Sequence, residues 1–131
     1  MEEASSYQKC NATIITAFYK IKSKSTYEAY LSWMTNFLTI KDCIVVFTSP
    51  DQEFQIRALR PPDYPTIIIP MLIESFLISS MMSTEAWEKQ EAMDPELSIG
   101  QNRDLYAVWD EKTNFMKIVS DMNPFRSSYF I

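Results

Sequence analysis

The sequence predicts an α/β fold: a mostly parallel sheet with flanking helices. Three observations predict it. Residues 12–18, 42–48 and 66–69 are short, apolar, β-branched runs, the pattern of strands buried on both faces. A helix-periodic stretch separates the first two, so strand, helix and strand form a βαβ unit with parallel strands and a right-handed crossover. The chain of 131 residues is 47% hydrophobic and 14% aromatic, enough for one domain with a packed core.

The elements follow in order. "ATIITAF" (residues 12–18) is the first strand, after residues 1–11, which read as a flexible amino terminus. In "SKSTYEAYLSWMTNFLTI", Ser25 and Glu28 have the spacing of a capping box, and Tyr27, Tyr30, Leu31, Met34, Phe37 and Leu38 recur at helical spacing. "DCIVVFT" (residues 42–48) is the second strand. "SPDQEFQIRAL" opens a short helix near Ser49 or Pro50, and "RPPDYP" is a loop. "TIII" (residues 66–69) is the third strand. Residues 71–82 read as helix, and "STEAWEKQEAM" as a short surface helix. "DPELSIGQN" is a loop that holds the only glycine, Gly100. A long helix over residues 103–122 carries an apolar stripe of Leu105, Val108, Trp109, Phe115, Met116, Val119 and Met122. The closing "SYFI" is a fourth strand, expected beside the first.

Composition excludes several function classes. A net charge of −5 supplies no cationic surplus to displace phosphate counterions, so nucleic acid is not an expected partner. With no histidine, His-based acid–base catalysis and His metal sites are ruled out. One glycine is too few for a Rossmann or P-loop phosphate cradle, and no serine lies in a G-x-S-x-G elbow. The amino terminus is acidic and polar, unlike a signal peptide, which predicts a cytoplasmic chain. "TIIIPMLIESFLISSMM" (residues 66–82) has the length of a membrane span. Pro70 interrupts it and Glu74 sits near its centre, so a buried strand and helix is the better reading. Cys10 and Cys43 both fall near the amino edge of the sheet, and without a secretion signal they are expected as separate reduced thiols. Asn11-Ala12-Thr13 matches a glycosylation sequon, but abuts a strand where a glycan fits poorly.

A few residues carry candidate chemistry. Asp94 and Glu96 pair two carboxylates, either as a divalent-metal site or as an Asp-Pro turn, and the turn is favoured. Asp110 and Glu111 fall on the polar side of the last helix and are expected in solvent. Lys112 falls on the apolar stripe, where it must either snorkel to the edge or meet an anion. Ligands of open parallel sheets bind beyond the carboxyl ends of the strands. Those ends carry Phe18 and Tyr19 after the first strand, and Thr48 and Ser49 after the second. An aromatic ring there suits a nucleobase, and hydroxyls suit ribose or phosphate.

"TIITAFYKIKSKSTYEAYLSWMTNFL", "IVVFTS" and "LYAVWDEKTNFMKIVSDMNPFRSSYFI" resemble the HtrL/YibB family. The likeness runs from Thr13 onward and is densest from Leu105 to Ile131. It implies a GT-A-type, Rossmann-like nucleotide-sugar transferase half, with a nucleoside-diphosphate sugar as partner. Carried over by position, Thr16, Ala17, Phe18, Tyr19 and Lys112 are its nucleotide-side residues, and Asn123, Pro124 and Phe125 a turn that aims the last strand. In the family that strand continues into an acidic turn resembling the one that holds a divalent metal, Mn²⁺ or Mg²⁺. By this likeness the chain is the amino-terminal portion of a longer domain and inactive alone. The alternative is a non-catalytic interaction module whose sheet is completed by a partner strand.

Overall fold

A computed structural model describes residues 7–22, 25–94 and 102–131. Four strands, β1 (Ala12–Phe18), β2 (Cys43–Thr48), β3 (Thr66–Pro70) and β4 (Tyr129–Phe130), form one sheet in the order β3-β2-β1-β4. Every pairing is parallel. This is the predicted α/β class, and the first strand has the predicted bounds.

β2 is the core of the sheet, and all its residues are buried. Alternation sends Ile44 and Val46 to one face and Cys43, Val45 and Phe47 to the other. Helices α1 (Tyr27–Phe37) and α2 (Glu53–Leu59) cover the first face through Met34 and Ile56. Helices α3 (Leu77–Met81), α4 (Thr84–Met93) and α5 (Arg103–Met122) cover the second. There Phe47 stacks on Phe115 at 4.2 Å between ring centroids. None of the helices among the described residues is long and apolar enough to cross a membrane.

Several local expectations are corrected. The cap of α1 is Thr26, one residue later than the Ser25 box: its hydroxyl accepts from the Ala29 amide at 3.1 Å. Residues 71–82 do not form one helix. Leu72 and Phe76 are extended, leaving a 3₁₀ turn at Ile73–Ser75 and the single turn of α3. The break drives Phe76 into the core, edge-on to Tyr19 and Phe115. Glu111 is not in solvent but 1% exposed, and its carboxylate accepts from the Leu77 and Ile78 amides at 2.7 and 2.9 Å. It neutralises the first amides of α3, which no residue within α3 caps. Trp87, on the helix read as a surface one, is buried.

The cysteines are also corrected. Cys10 and Cys43 are not separate thiols; a disulfide joins them, with Cα atoms 6.3 Å apart. The parallel neighbours β1 and β2 bring the amino edge of both strands together, which is what makes the bond reachable. The same region is tied further: the Cys10 amide donates to the Phe125 carbonyl at 3.0 Å, and Tyr7 packs edge-on against Phe125.

Loop Arg60–Pro65 has an unforeseen centre. Arg60 is 5% exposed, and its guanidinium donates to the Leu38, Ile40, Asp42 and Pro65 carbonyls and to the Thr66 hydroxyl. Burial lowers its pKa from the usual guanidinium value. It pins the end of α1 to the loop before β3. The turn after α5 is structural, as its sequence suggests. Asn123 is left-handed (φ 38°), its amide side chain exchanges hydrogen bonds with the Ser127 backbone at 2.8 and 3.1 Å, and Phe125 is fully buried. The Ser127 hydroxyl then meets that of Thr13 at 2.6 Å, setting β4 beside β1.

Candidate functional site

β4 pairs with only the first part of β1, matching Ala12 with Tyr129 and Thr13 with Phe130. The Ile131 carbonyl accepts from the Ile15 amide at 2.8 Å. Beyond that point the edge of β1 opens into a pocket of about 420 Å³. Its floor is residues 15–18 of β1 with Tyr19 just after the strand; one wall is Tyr30 of α1, and the other is α5. The volume lies in the range of small-molecule sites, about 300–1,000 Å³.

The arrangement follows from helical and strand periodicity. On α5, Leu105, Val108, Trp109, Lys112 and Met116 recur at three- and four-residue steps and line the pocket wall. The buried face of the helix adjoins this one and carries Tyr106, Ala107, Val108, Glu111, Phe115 and Val119, of which Val108 and Phe115 also line the pocket. Trp109, placed in the core stripe by sequence, is 45% exposed here, and Met116 is 36% exposed. Lys112 is correspondingly exposed and is the only charged side chain among the described lining residues.

Thr16, Ala17, Phe18, Tyr19 and Lys112, singled out from sequence, all line this pocket. They differ in what they can offer. Phe18 is 6% exposed and packs in the α1-side core, tilted against Tyr27. The Tyr19 hydroxyl donates to the Met71 carbonyl at 2.8 Å, so it anchors the segment after β3. Burial, with the Glu111 charge second, raises its pKa well above the ordinary phenol value and keeps it protonated. Lys112 and Trp109 are both exposed on the α5 wall.

Other candidates are occupied elsewhere. The Thr48 hydroxyl donates to the Phe18 carbonyl at 2.5 Å and is fully buried, so it is not available to ribose or phosphate. Ser49 hydrogen-bonds Asp51 and holds that carboxyl below its usual value. Asp94 accepts from the Tyr106 hydroxyl, and Glu96 lies outside the described residues. Among the described residues no group of acidic or cysteine side chains is placed to hold a metal ion.

Sequence reasoning missed Trp109 and Tyr30 as pocket walls. For Trp109 the signal was present: it lies three residues before Lys112 and shares its helix face. Tyr30 was named only in the apolar stripe of its helix. In comparisons with known proteins, no family model, no curated protein and no solved structure matches this chain.

Proposed function

We propose that the β1–α5 pocket is the nucleotide side of a nucleotide-sugar site, in a GT-A-type domain like those of the HtrL/YibB family. The observation that supports it is the convergence of Thr16, Ala17, Phe18, Tyr19 and Lys112 on one pocket at the carboxyl half of β1. That is the end of a parallel strand where α/β sheets bind ligands. The wall supplies an aromatic face at Trp109, on which a base stacks, and one cation at Lys112, which meets the diphosphate.

The test is a thermal melt with UDP, with uridine, and with neither. UDP at about ten times its Kd should stabilise the chain by about 1.4 kcal/mol. Lys112→Met should abolish most of the UDP response and leave that of uridine unchanged, because only the phosphates meet the ammonium. No response to UDP at millimolar concentration overturns the reading. A UDP response that survives Lys112→Met places the nucleotide elsewhere.

A further inference from the structure

Two neighbouring features at the start of β1 point to one compartment. The Cys10–Cys43 disulfide joins the segment before β1 to the start of β2. Disulfides form and persist in oxidising compartments and are rare where glutathione and thioredoxin keep thiols reduced. The residue after Cys10 is Asn11, which opens the Asn11-Ala12-Thr13 sequon. A sequon has meaning only in a chain that passes through such a compartment.

The folded chain leaves room at this asparagine. Asn11 stands one residue before β1 and is exposed, as are Gln8, Lys9, Ser128 and Tyr129. Its bond to the β4 end runs through the backbone: the Asn11 carbonyl accepts from the Ser128 and Tyr129 amides at 3.0 and 3.2 Å. The strand that follows therefore does not stand in the way of a glycan on the side chain.

We propose that Asn11 is a site of N-linked glycosylation, in a chain that folds in an oxidising lumen. The co-reactant is an oligosaccharide carried on a polyprenyl diphosphate. The Asn11 amide nitrogen bonds to the anomeric carbon of the first sugar. The bond from that carbon to the diphosphate oxygen breaks, the polyprenyl diphosphate leaves with the electron pair, and the nitrogen gives up one proton. No group is oxidised or reduced.

The fold sets the order of events. A transferase reads the hydroxyl two residues after the asparagine. In the folded chain the Thr13 hydroxyl is fully buried and shares a hydrogen bond with that of Ser127 at 2.6 Å. Cys10 is half-buried and tied to a fully buried Cys43. Both residues flanking the acceptor are thus locked once β4 docks and the disulfide closes, so the sugar is added before either. Asn11 also lies four residues before Ile15, where the pocket floor begins. That is about 13 Å of strand, so the attachment point is clear of the pocket and the inference does not depend on the nucleotide reading.

One pair of tryptic fragments reports both features. Residues 10–20 hold Cys10 and Asn11, and residues 42–57 hold Cys43. The natural protein, taken from the cells that make it, is treated with peptide-N-glycosidase in H₂¹⁸O, digested without reductant and weighed by mass spectrometry. A glycosylated Asn11 leaves the enzyme as ¹⁸O-labelled aspartate. The expected product is the disulfide-linked pair of fragments with the label at position 11. A second measurement tests the order. Purified oligosaccharyltransferase and its lipid-linked donor are given the 131-residue chain either folded and oxidised or reduced and unfolded. The unfolded chain should be modified about tenfold faster or more, because the folded one must first open at Thr13. Unfolded Thr13→Ser should still be modified, and unfolded Asn11→Gln should not. Two results overturn the proposal. One is an unlabelled Asn11 in the fragment from the natural protein, whatever the state of its cysteines. The other is an equal rate for the folded and unfolded chains, which would mean that burial of Thr13 does not set the order.

Discussion

At the scale of single residues, polar side chains hold the chain where its elements break. Glu111 replaces the cap that α3 lacks, and its Oε2 also accepts from Asn114 at 2.7 Å. Glu111→Gln keeps the shape but offers the α3 amides one neutral acceptor and turns an NH₂ toward them. It should cost about 1–3 kcal/mol in urea unfolding; a change within 0.5 kcal/mol, the range of surface substitutions, would mean that α3 does not need the anion. Tyr19 gives a second prediction at this scale. Its folded pKa is raised above the ordinary value of about 10, so the folded chain holds this proton after the unfolded chain has released it. The associated stability is present in full below about pH 10 and is lost as pH rises through the folded value. The difference in unfolding free energy between the natural chain and Tyr19→Phe should therefore be constant from pH 7 to 9 and shrink above pH 10. A difference that stays constant to pH 11 removes the burial argument.

At the scale of elements, the limits of sequence reading have physical causes. β1 and α5 have the bounds that periodicity gives them, because each is long enough for its pattern to outweigh its ends. Residues 71–82 misled because their composition suits a helix, whereas the need to bury Phe76 against Phe115 breaks the backbone at a point no local propensity marks. Glu111 misled for a related reason, and Arg60 drew no reading at all: the partners of each, unpaired amides or carbonyls, come from another element distant in sequence. The placement of Phe18, Tyr19 and Lys112 on the pocket was legible because a strand end and a helix step fix direction, whereas Thr16 and Ala17 entered only through the family resemblance. Trp109 was read as core because its step along α5 fits either of two adjoining faces. The disulfide was half legible: adjacency of Cys10 and Cys43 follows from parallel pairing, while oxidation depends on surroundings that sequence alone does not show. It closes a loop with a sequence separation of 33 and ties the start of β1 to β2. Removing it as Cys10→Ser with Cys43→Ser should cost about 3–4 kcal/mol by loop entropy. Urea melts with and without reductant check this, and an unchanged midpoint on reduction would show that the bond does not constrain the unfolded chain.

For the whole molecule, the question is whether two cores make one folding unit. The helices on the two faces of the sheet share few contacts with each other; what joins the cores is β2, whose side chains alternate between them. Val45 faces the α3–α5 layer and Val46 the α1–α2 layer, both fully buried. Truncating either to Ala removes about two methyl-sized groups, about 2 kcal/mol with the cavity included. If β2 couples the layers, the loss belongs to the whole chain and not to the face that was cut. Trp87 of α4 reports the α3–α5 layer, and Trp33, edge-on to Tyr30, reports α1. In variants keeping one or the other as fluorophore, Val45→Ala and Val46→Ala should each lower the urea midpoint equally at both tryptophans, as a two-state transition requires. If Val46→Ala moves the Trp33 transition and leaves that of Trp87 in place, the α1–α2 layer unfolds by itself. The pocket would then lie between two bodies that open independently, since one of its walls is Tyr30 and the other α5.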